Sequence, residues 1–247
     1  MLVEEYRRMY EAEETHFWFR GTRAIVLDQV RHLFNQPLHV VDVGCGTGGT
    51  LSLLPSSWKA TGVDVADDAL KFAKTRKHFR LVQASAMALP FDGNRFDLAF
   101  ALDVVEHCSD DAAAARELHR VLKPGGLLVA TVPAFQALFG PHDVALAHYR
   151  RYRRPQLCGL LRAAGFEIEK ATYFNTLLFA PSAAMRLGAK IFRSGKPPSS
   201  DANHLPAPLN ELLFRIFVSE RSLIRKWRLP VGLSIIAVAR RPVRASR

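Results

Sequence analysis

Cysteine is scarce in this sequence. The three residues present, Cys45, Cys108 and Cys158, are far apart and form no CxxC pair. That argues against a disulfide framework and a structural zinc site, and fits a reducing cytoplasm. Long apolar runs are missing as well. VGLSIIAVA (231–239) is strand-length and TLLFAPSAAM (176–185) is broken by Pro181, both short of the roughly 20 residues of a membrane span. The opening MLVEEYRRMYEAEETHFWF is charged and lacks the apolar core of a signal peptide. Nor is there an internal repeat. Acidic residues thin out late in the chain: residues 141–247 hold 6 Asp/Glu against 19 Lys/Arg, whereas residues 1–140 hold 17 against 15. An excess on one part suggests an anionic partner (a phosphorylated substrate, nucleic acid or a membrane surface), the alternative being solvated helix faces.

With 247 residues, 49% of them hydrophobic and 23% charged, the chain suits a single α/β domain. Short apolar runs at 38–43, 60–65, 80–84, 97–102 and 127–132 read as strands. DDALKFAKTRKHF and DDAAAARELHRVL lie between them as helices, and Lys123-Pro124-Gly125-Gly126 stops the second. Such alternation predicts a parallel doubly wound sheet. Beyond residue 140 come a basic loop, the helix QLCGLLRAAG, the strand FEIEKATYF, two amphipathic segments around the loop 194–208, and the strand VGLSIIAVARR. The two late strands would bring the sheet to seven. Residues 1–35 are expected as a helical lid, 36–140 as the cofactor-binding core, and 141–247 as the substrate side.

The strongest motif is VVDVGCGTGG, an apolar strand running into Gly44, Gly46, Gly48 and Gly49. Glycines there let the backbone turn and approach a ligand closely. The following TLSLL is expected to open a helix pointing at that ligand. Gly44, Gly46 and Gly49 satisfy the dinucleotide fingerprint, and Asp64 stands 20 residues beyond Gly44 to hold ribose hydroxyls. Asp42 separates the cofactors: a carboxylate inside the strand repels a pyrophosphate and suits an ammonium or sulfonium.

Taken together, Asp42-Val-Gly44-Cys45-Gly46-Thr-Gly48, Asp64, ALPFDGNRFDLAFALDVVEH and LKPGG resemble the class I S-adenosylmethionine-dependent methyltransferases over residues 38–132. The resemblance implies a Rossmann-like, seven-stranded, mostly parallel sheet with helices on both faces and extra helices near the C-terminus. It implies S-adenosyl-L-methionine as cofactor. Asp42 and Gly44, Cys45, Gly46 and Gly48 would hold the methionine end; Asp64 with Val65 the ribose; Ser85, Ala86 and Met87 would flank the adenine; and Asp103 and Val104 would border the methionine moiety. Ser85 stands where relatives often carry Asp. HFWFRGTR (16–23) and HYRRYRRPQLCGLLRAAGF resemble a bacterial subgroup acting on small molecules or cell-envelope intermediates. Arg20 or Arg23 would reach the cofactor carboxylate, with Trp18 and Phe19 closing the site.

Methyl transfer needs alignment, and a hydroxyl acceptor also benefits from a base. His107, His142 and His148 are the candidate bases, on loops after the fourth and fifth strands; Glu106 precedes His107, and Asp143 offers to orient a histidine. No metal site is expected, because Glu106, His107 and His142 follow no recognised ligand spacing. Tyr149, Arg150 and Arg151 open a run to Arg154 that would clamp an anionic acceptor. Basic stripes are read at Arg186, Lys190 and Arg193, and at Arg221, Arg225 and Arg228, beside an apolar stripe ending at Trp227. Such helices lie on anionic membranes or cover the sheet. The sequence therefore points to a cytoplasmic methyltransferase, peripheral at the inner membrane face, with a small-molecule or lipid-linked anionic acceptor. A nucleic-acid methyltransferase is disfavoured, since Asp103-Val104-Val105-Glu106 replaces the (D/N/S)PP(Y/F) motif of base-amino methylation. Asp42 disfavours an NAD oxidoreductase. A non-catalytic scaffold stays open.

Overall fold

A computed structural model describes residues 3–76, 79–191 and 205–243, side chains 185–187 and 189–191 excepted. The strands are β1 (His39–Val43), β2 (Lys59–Asp64), β3 (Arg80–Gln83), β4 (Phe96–Leu102), β5 (Leu122–Pro133), β6 (Glu167–Phe174) and β7 (Ser234–Arg240). They form one sheet in the order β3-β2-β1-β4-β5-β7-β6. The first five are parallel, and β7 runs antiparallel to both β5 and β6. The helices are α1 (Val3–Thr15), α2 (Phe17–Gln29), α3 (Asp67–Arg76), α4 (Asp111–Val121), α5 (Pro141–Ala145), α6 (Arg154–Ala163), α7 (Phe179–Ile191) and α8 (Ala207–Lys226).

The alternation of side chains along each strand builds two cores. Val41, Ala99, Leu128, Val132 and Ile235 face the layer of α4 and α6, where Leu118, Leu157 and Leu161 meet them. Val40, Leu98, Phe100, Val129 and Ile236 face the opposite layer, with Ile25, Val26, Phe217 and Ile224 of α2 and α8. Strands covered on both faces are apolar throughout, which is why they read as short continuous runs. Local chemistry sets the helix starts. His16 caps α2 by accepting the Trp18 N–H, and Asp110 caps α4 by accepting the Ala113 N–H at 2.8 Å.

Two expectations are corrected. The segment TLSLL forms only a 3₁₀ turn at Leu51–Leu53. Pro55 holds the preceding Leu54 extended (ψ 147°), so no helix follows β1. Lys123-Pro124-Gly125-Gly126 does not precede the fifth strand but lies within it; the ladder slips between the Phe96 and Leu98 pairs, and Gly125 takes φ 82° there. Of the expected basic stripe on α7, Arg193 and the loop to residue 204 lie outside the described residues, as do the side chains of Arg186, Leu187, Lys190 and Ile191. No helix among the described residues is long and apolar enough to cross a membrane.

Candidate functional site

Parallel strands deliver their loops to one edge, and the expected residues gather at the carboxyl ends of β1, β2, β4 and β5. Gly44 (φ 72°) and Gly46 (φ 52°) follow β1 in the left-handed region that favours glycine. A Cβ on Gly44 would overlap the Val104 side chain, and one on Gly46 would stand 2.7 Å from Met9 Cε. The loop is tied down from β2: Gly44 and Cys45 donate to the Val63 carbonyl at 2.7 and 2.9 Å. Asp64 accepts from Gly46 N–H and Ala66 N–H, both at 2.9 Å. Cys45 turns its buried thiol into the core, where burial and then the Asp42 charge push its pKa up. Its backbone N–H ties the loop to β2, and its thiol donates to the Gly46 carbonyl at 3.8 Å.

The electrostatics of this loop are unusual. Asp42 is 2% exposed, and burial first, then Glu13 and Asp64, push its carboxyl pKa up to about 8. Three carboxylates thus surround a cradle of backbone. A pyrophosphate would meet repulsion there; a cationic ligand would relieve the strain on Asp42. The residues therefore fit S-adenosylmethionine, whose ammonium and sulfonium are positive. Asp42 and the glycine loop would hold the methionine end, and Asp64 the ribose. Val65 follows as an apolar side chain left 69% exposed, suited to abut the nucleoside. Ser85 spends its hydroxyl accepting the Met87 N–H at 3.1 Å, which shapes the Ser85–Met87 turn beside β2.

Sequence reasoning named residues 1–35 as a lid but missed which side chains of α1 serve it. Glu13, buried, accepts from Thr47 Oγ1 at 2.6 Å and from Arg76 Nη2 at 2.7 Å. Arg76 also donates to the Thr47 carbonyl at 2.8 Å. Arg23 bonds the Glu13 carbonyl and lies where a Cβ on Gly49 would fall. Tyr6 faces Asp64 and Asp68; burial and then those carboxylates push its hydroxyl pKa up. The cover over the glycine loop is therefore Tyr6, Met9 and Glu13. Trp18, expected in that role, packs on Phe217 at 5.6 Å between ring centres. Arg20 is also corrected: it pairs with Glu211 at 3.0 Å and lies over the Phe214 ring, committed to α8, while Arg23 adjoins the loop. Only the alternation of acidic and apolar residues in α1 hinted at this role.

A second cluster occupies the ends of β4 and β5. Asp103 takes φ 53° and exchanges hydrogen bonds with Thr131, its N–H donating at 3.0 Å and its Oδ1 accepting at 3.1 Å. Glu106 is fully buried, and neither carboxylate oxygen has a hydrogen-bond partner among the described residues. Burial, then Asp103, raises its pKa well above the usual carboxylate range. The His107 ring stands edge-on to His148, centres 4.6 Å apart. Burial and then His148 lower the His107 pKa to about 4, so it is neutral at physiological pH. His148 Nδ1 lies 2.9 Å from Asp143 Oδ1. Asp143 also accepts from Arg151 at 2.7 and 3.0 Å and from Gly140 N–H at 2.9 Å. Burial opposes its ionisation, but these bonds outweigh it and hold the carboxyl far below its usual range. His142 lies further out, its ring 6.5 Å from His148.

The expected acceptor clamp is only partly free. Arg151 is buried and forked onto Asp143, so it holds His148 in place instead of meeting a ligand. Arg150 pairs with Asp111 at 2.9 Å and donates to the Cys108 and Ser109 carbonyls. Tyr149 is exposed, its N–H bonded to the Glu106 carbonyl at 2.8 Å.

Residues 41–130 match a family model described as a methyltransferase domain. The chain is 32% identical over 152 residues to the O-methyltransferase cnsE of Penicillium expansum, covering 54% of each. It is 34% identical over 113 residues to a demethylmenaquinone methyltransferase of Staphylococcus epidermidis, covering 40% of this chain and 47% of that one. It thus spans about half the length of the curated relatives it matches. Among solved structures, the [4+2]-cyclase SpnF is 26% identical with a TM-score of 0.56, over 87% of this chain and 81% of that one.

Proposed function

We propose that this chain, which belongs to the class I S-adenosylmethionine-dependent methyltransferases, transfers a methyl group to a hydroxyl of an anionic small-molecule acceptor, phosphorylated or lipid-linked. The observation that carries the reading is the pairing of two sites at one sheet edge: a carboxylate-lined glycine loop, and beside it a polar cluster of Glu106, His107 and His148. Bound S-adenosylmethionine supplies an electrophilic methyl on a sulfonium. The protein supplies alignment and a place for the acceptor's proton. Val104 and Asp103 join the two sites: Val104 packs onto Gly44, and Asp103 is anchored to Thr131. A neutral His107 and a His148 oriented by Asp143 are the groups suited to take the proton of an acceptor hydroxyl. Arg153 and Tyr149, exposed beyond them, and the excess of 19 basic over 6 acidic residues in 141–247 favour an anionic acceptor. The names of the relatives, an O-methyltransferase and a demethylmenaquinone methyltransferase, support a small-molecule acceptor, and the first of them an oxygen as the methylated atom.

The test is to incubate the protein with methyl-labelled S-adenosylmethionine and a cell-envelope extract, then fractionate. Label is expected in small organic-soluble products. Label confined to precipitated RNA, DNA or protein, or no transfer with any fraction, would overturn the reading.

A further inference from the structure

We propose that Glu106, His107 and His148 form a binding site for one divalent first-row transition-metal cation. A mixed set of one carboxylate and two imidazoles suits such an ion. One ligand atom from each of the three residues lies within 4.8 Å of both others. Ligands about 2.1 Å from a cation stand roughly 3 Å apart when adjacent, so side-chain rotations of order 1 Å close the set. Nothing in the sequence spacing reveals this: Glu106 and His107 are neighbours after β4, while His148 arrives on a separate loop beyond α5.

The state of Glu106 points the same way. A fully buried carboxyl with both oxygens unbonded is costly, and native proteins rarely leave one so. The groups around it do not supply the missing bonds. Arg151 is forked onto Asp143.

One imidazole is also braced from behind. His148 Nδ1 is held by Asp143 Oδ1 at 2.9 Å, and Asp143 by Arg151 and Gly140 N–H. In metal sites the ring nitrogen away from the ion is held in this way, by a carbonyl or a carboxylate, which aims the other lone pair at the metal. Three protein ligands leave positions for water or for a hydroxyl oxygen of the acceptor. A hydroxyl bound there would release its proton to solvent near neutral pH. In that last respect the inference rests on the methyltransferase reading; the cation site itself does not.

Chelator-treated protein should be titrated with Co²⁺ alone, followed by visible absorption, and then competed with Zn²⁺. One Co²⁺ per chain is expected, with the bands of an imidazole-ligated ion. Glu106→Gln and His148→Ala should each weaken binding at least about tenfold, and Asp143→Asn by about 10–100-fold. His32→Ala, at an exposed position far in sequence from the cluster, should leave it unchanged. Wild-type protein that holds no stoichiometric Co²⁺, or affinity that Glu106→Gln and His148→Ala leave intact, would overturn the site. If a variant fails to fold by its thermal midpoint, the wild-type stoichiometry and spectrum still decide. Cobalt is scored without cofactor or acceptor, so its absence removes the cation and leaves methyl transfer standing. Tight cobalt binding by a protein that methylates nothing would count against the acceptor reading instead.

Discussion

The glycine loop and the histidine cluster lie at the same sheet edge, and both gather carboxylates, yet they treat them differently. Around the loop, α3 brings a cation to the acid of α1: Arg76, with Thr47, satisfies Glu13, and backbone N–H groups satisfy Asp64. One acid, Asp42, is left with its charge suppressed. In the cluster, Arg151 satisfies Asp143 and Thr131 satisfies Asp103, and Glu106 is left. Each region thus keeps one buried carboxyl in reserve. The difference is in the company: Asp42 is ringed by backbone and acids, which suits an organic cation, whereas Glu106 is ringed by imidazoles.

If the cluster does chemistry and the loop only binds, a substitution in one should spare the other. The largest effect is expected for His148→Ala: turnover should fall about 10²–10⁴-fold, with S-adenosylhomocysteine affinity unchanged by calorimetry. Full turnover would reduce the cluster to packing. Next is Asp64→Ala, which removes bonds to Gly46 N–H and Ala66 N–H as well as to the ligand. Affinity for S-adenosylhomocysteine should weaken by about 1–3 kcal/mol; an unaltered constant would take Asp64 out of the site.

A smaller, pH-dependent effect sharpens the role of Asp42. Its folded pKa, about 8, lies above its ordinary value of 3.8, so the free protein binds an extra proton between those limits. Its contribution to stability is therefore greatest below about pH 4 and falls as pH rises toward 8. A positive ligand favours the ionised form, so binding should release a proton and tighten by up to about tenfold per unit as pH rises toward 8. The ligand's own amino group titrates at about 7.7–8.0, so the readout is the difference between wild type and Asp42→Asn. Identical pH profiles would show that Asp42 does not meet the ligand's charge. The smallest effect concerns the far surface. Arg225 is already paired with Asp28, while Trp227 and Leu212 on or beside α8 are exposed. Replacing Arg228 by Gln should weaken partition onto anionic vesicles about fivefold, at about 1 kcal/mol per charge near the surface, and leave cofactor affinity intact. Equal flotation would detach the basic excess from membranes.

The legible parts of this protein were those with short-range causes. All seven strands and α3, α4 and α6 follow from apolar runs, caps and turn residues within a few positions. The glycine loop and Asp64 were readable because the strand-loop spacing carries them. The bracing of His148 by Asp143 was half-visible, since the two are only five residues apart in sequence. What escaped depends on tertiary meetings. Glu13 reaches Thr47 and Arg76 only because α1 crosses the loop. Arg20 and Arg23 differ by less than one helical turn, yet α8 captures the first and the glycine loop the second. Arg151 read as an acceptor clamp because nothing local shows that Asp143 has already claimed it.

The position of β7 bears on how the molecule is assembled. It is the last strand in sequence but not the last in the sheet, for it inserts between β5 and β6. Until it arrives, β6 has no ladder to the rest of the sheet, and β5 presents a bare row of amides and carbonyls. Such an edge is a template for the wrong chain. The long interval from Phe174 to Ser234 makes the closing step a slow, non-local one. The helices α7 and α8 lie within this interval, so the sheet closes only after the chain has run through both of them.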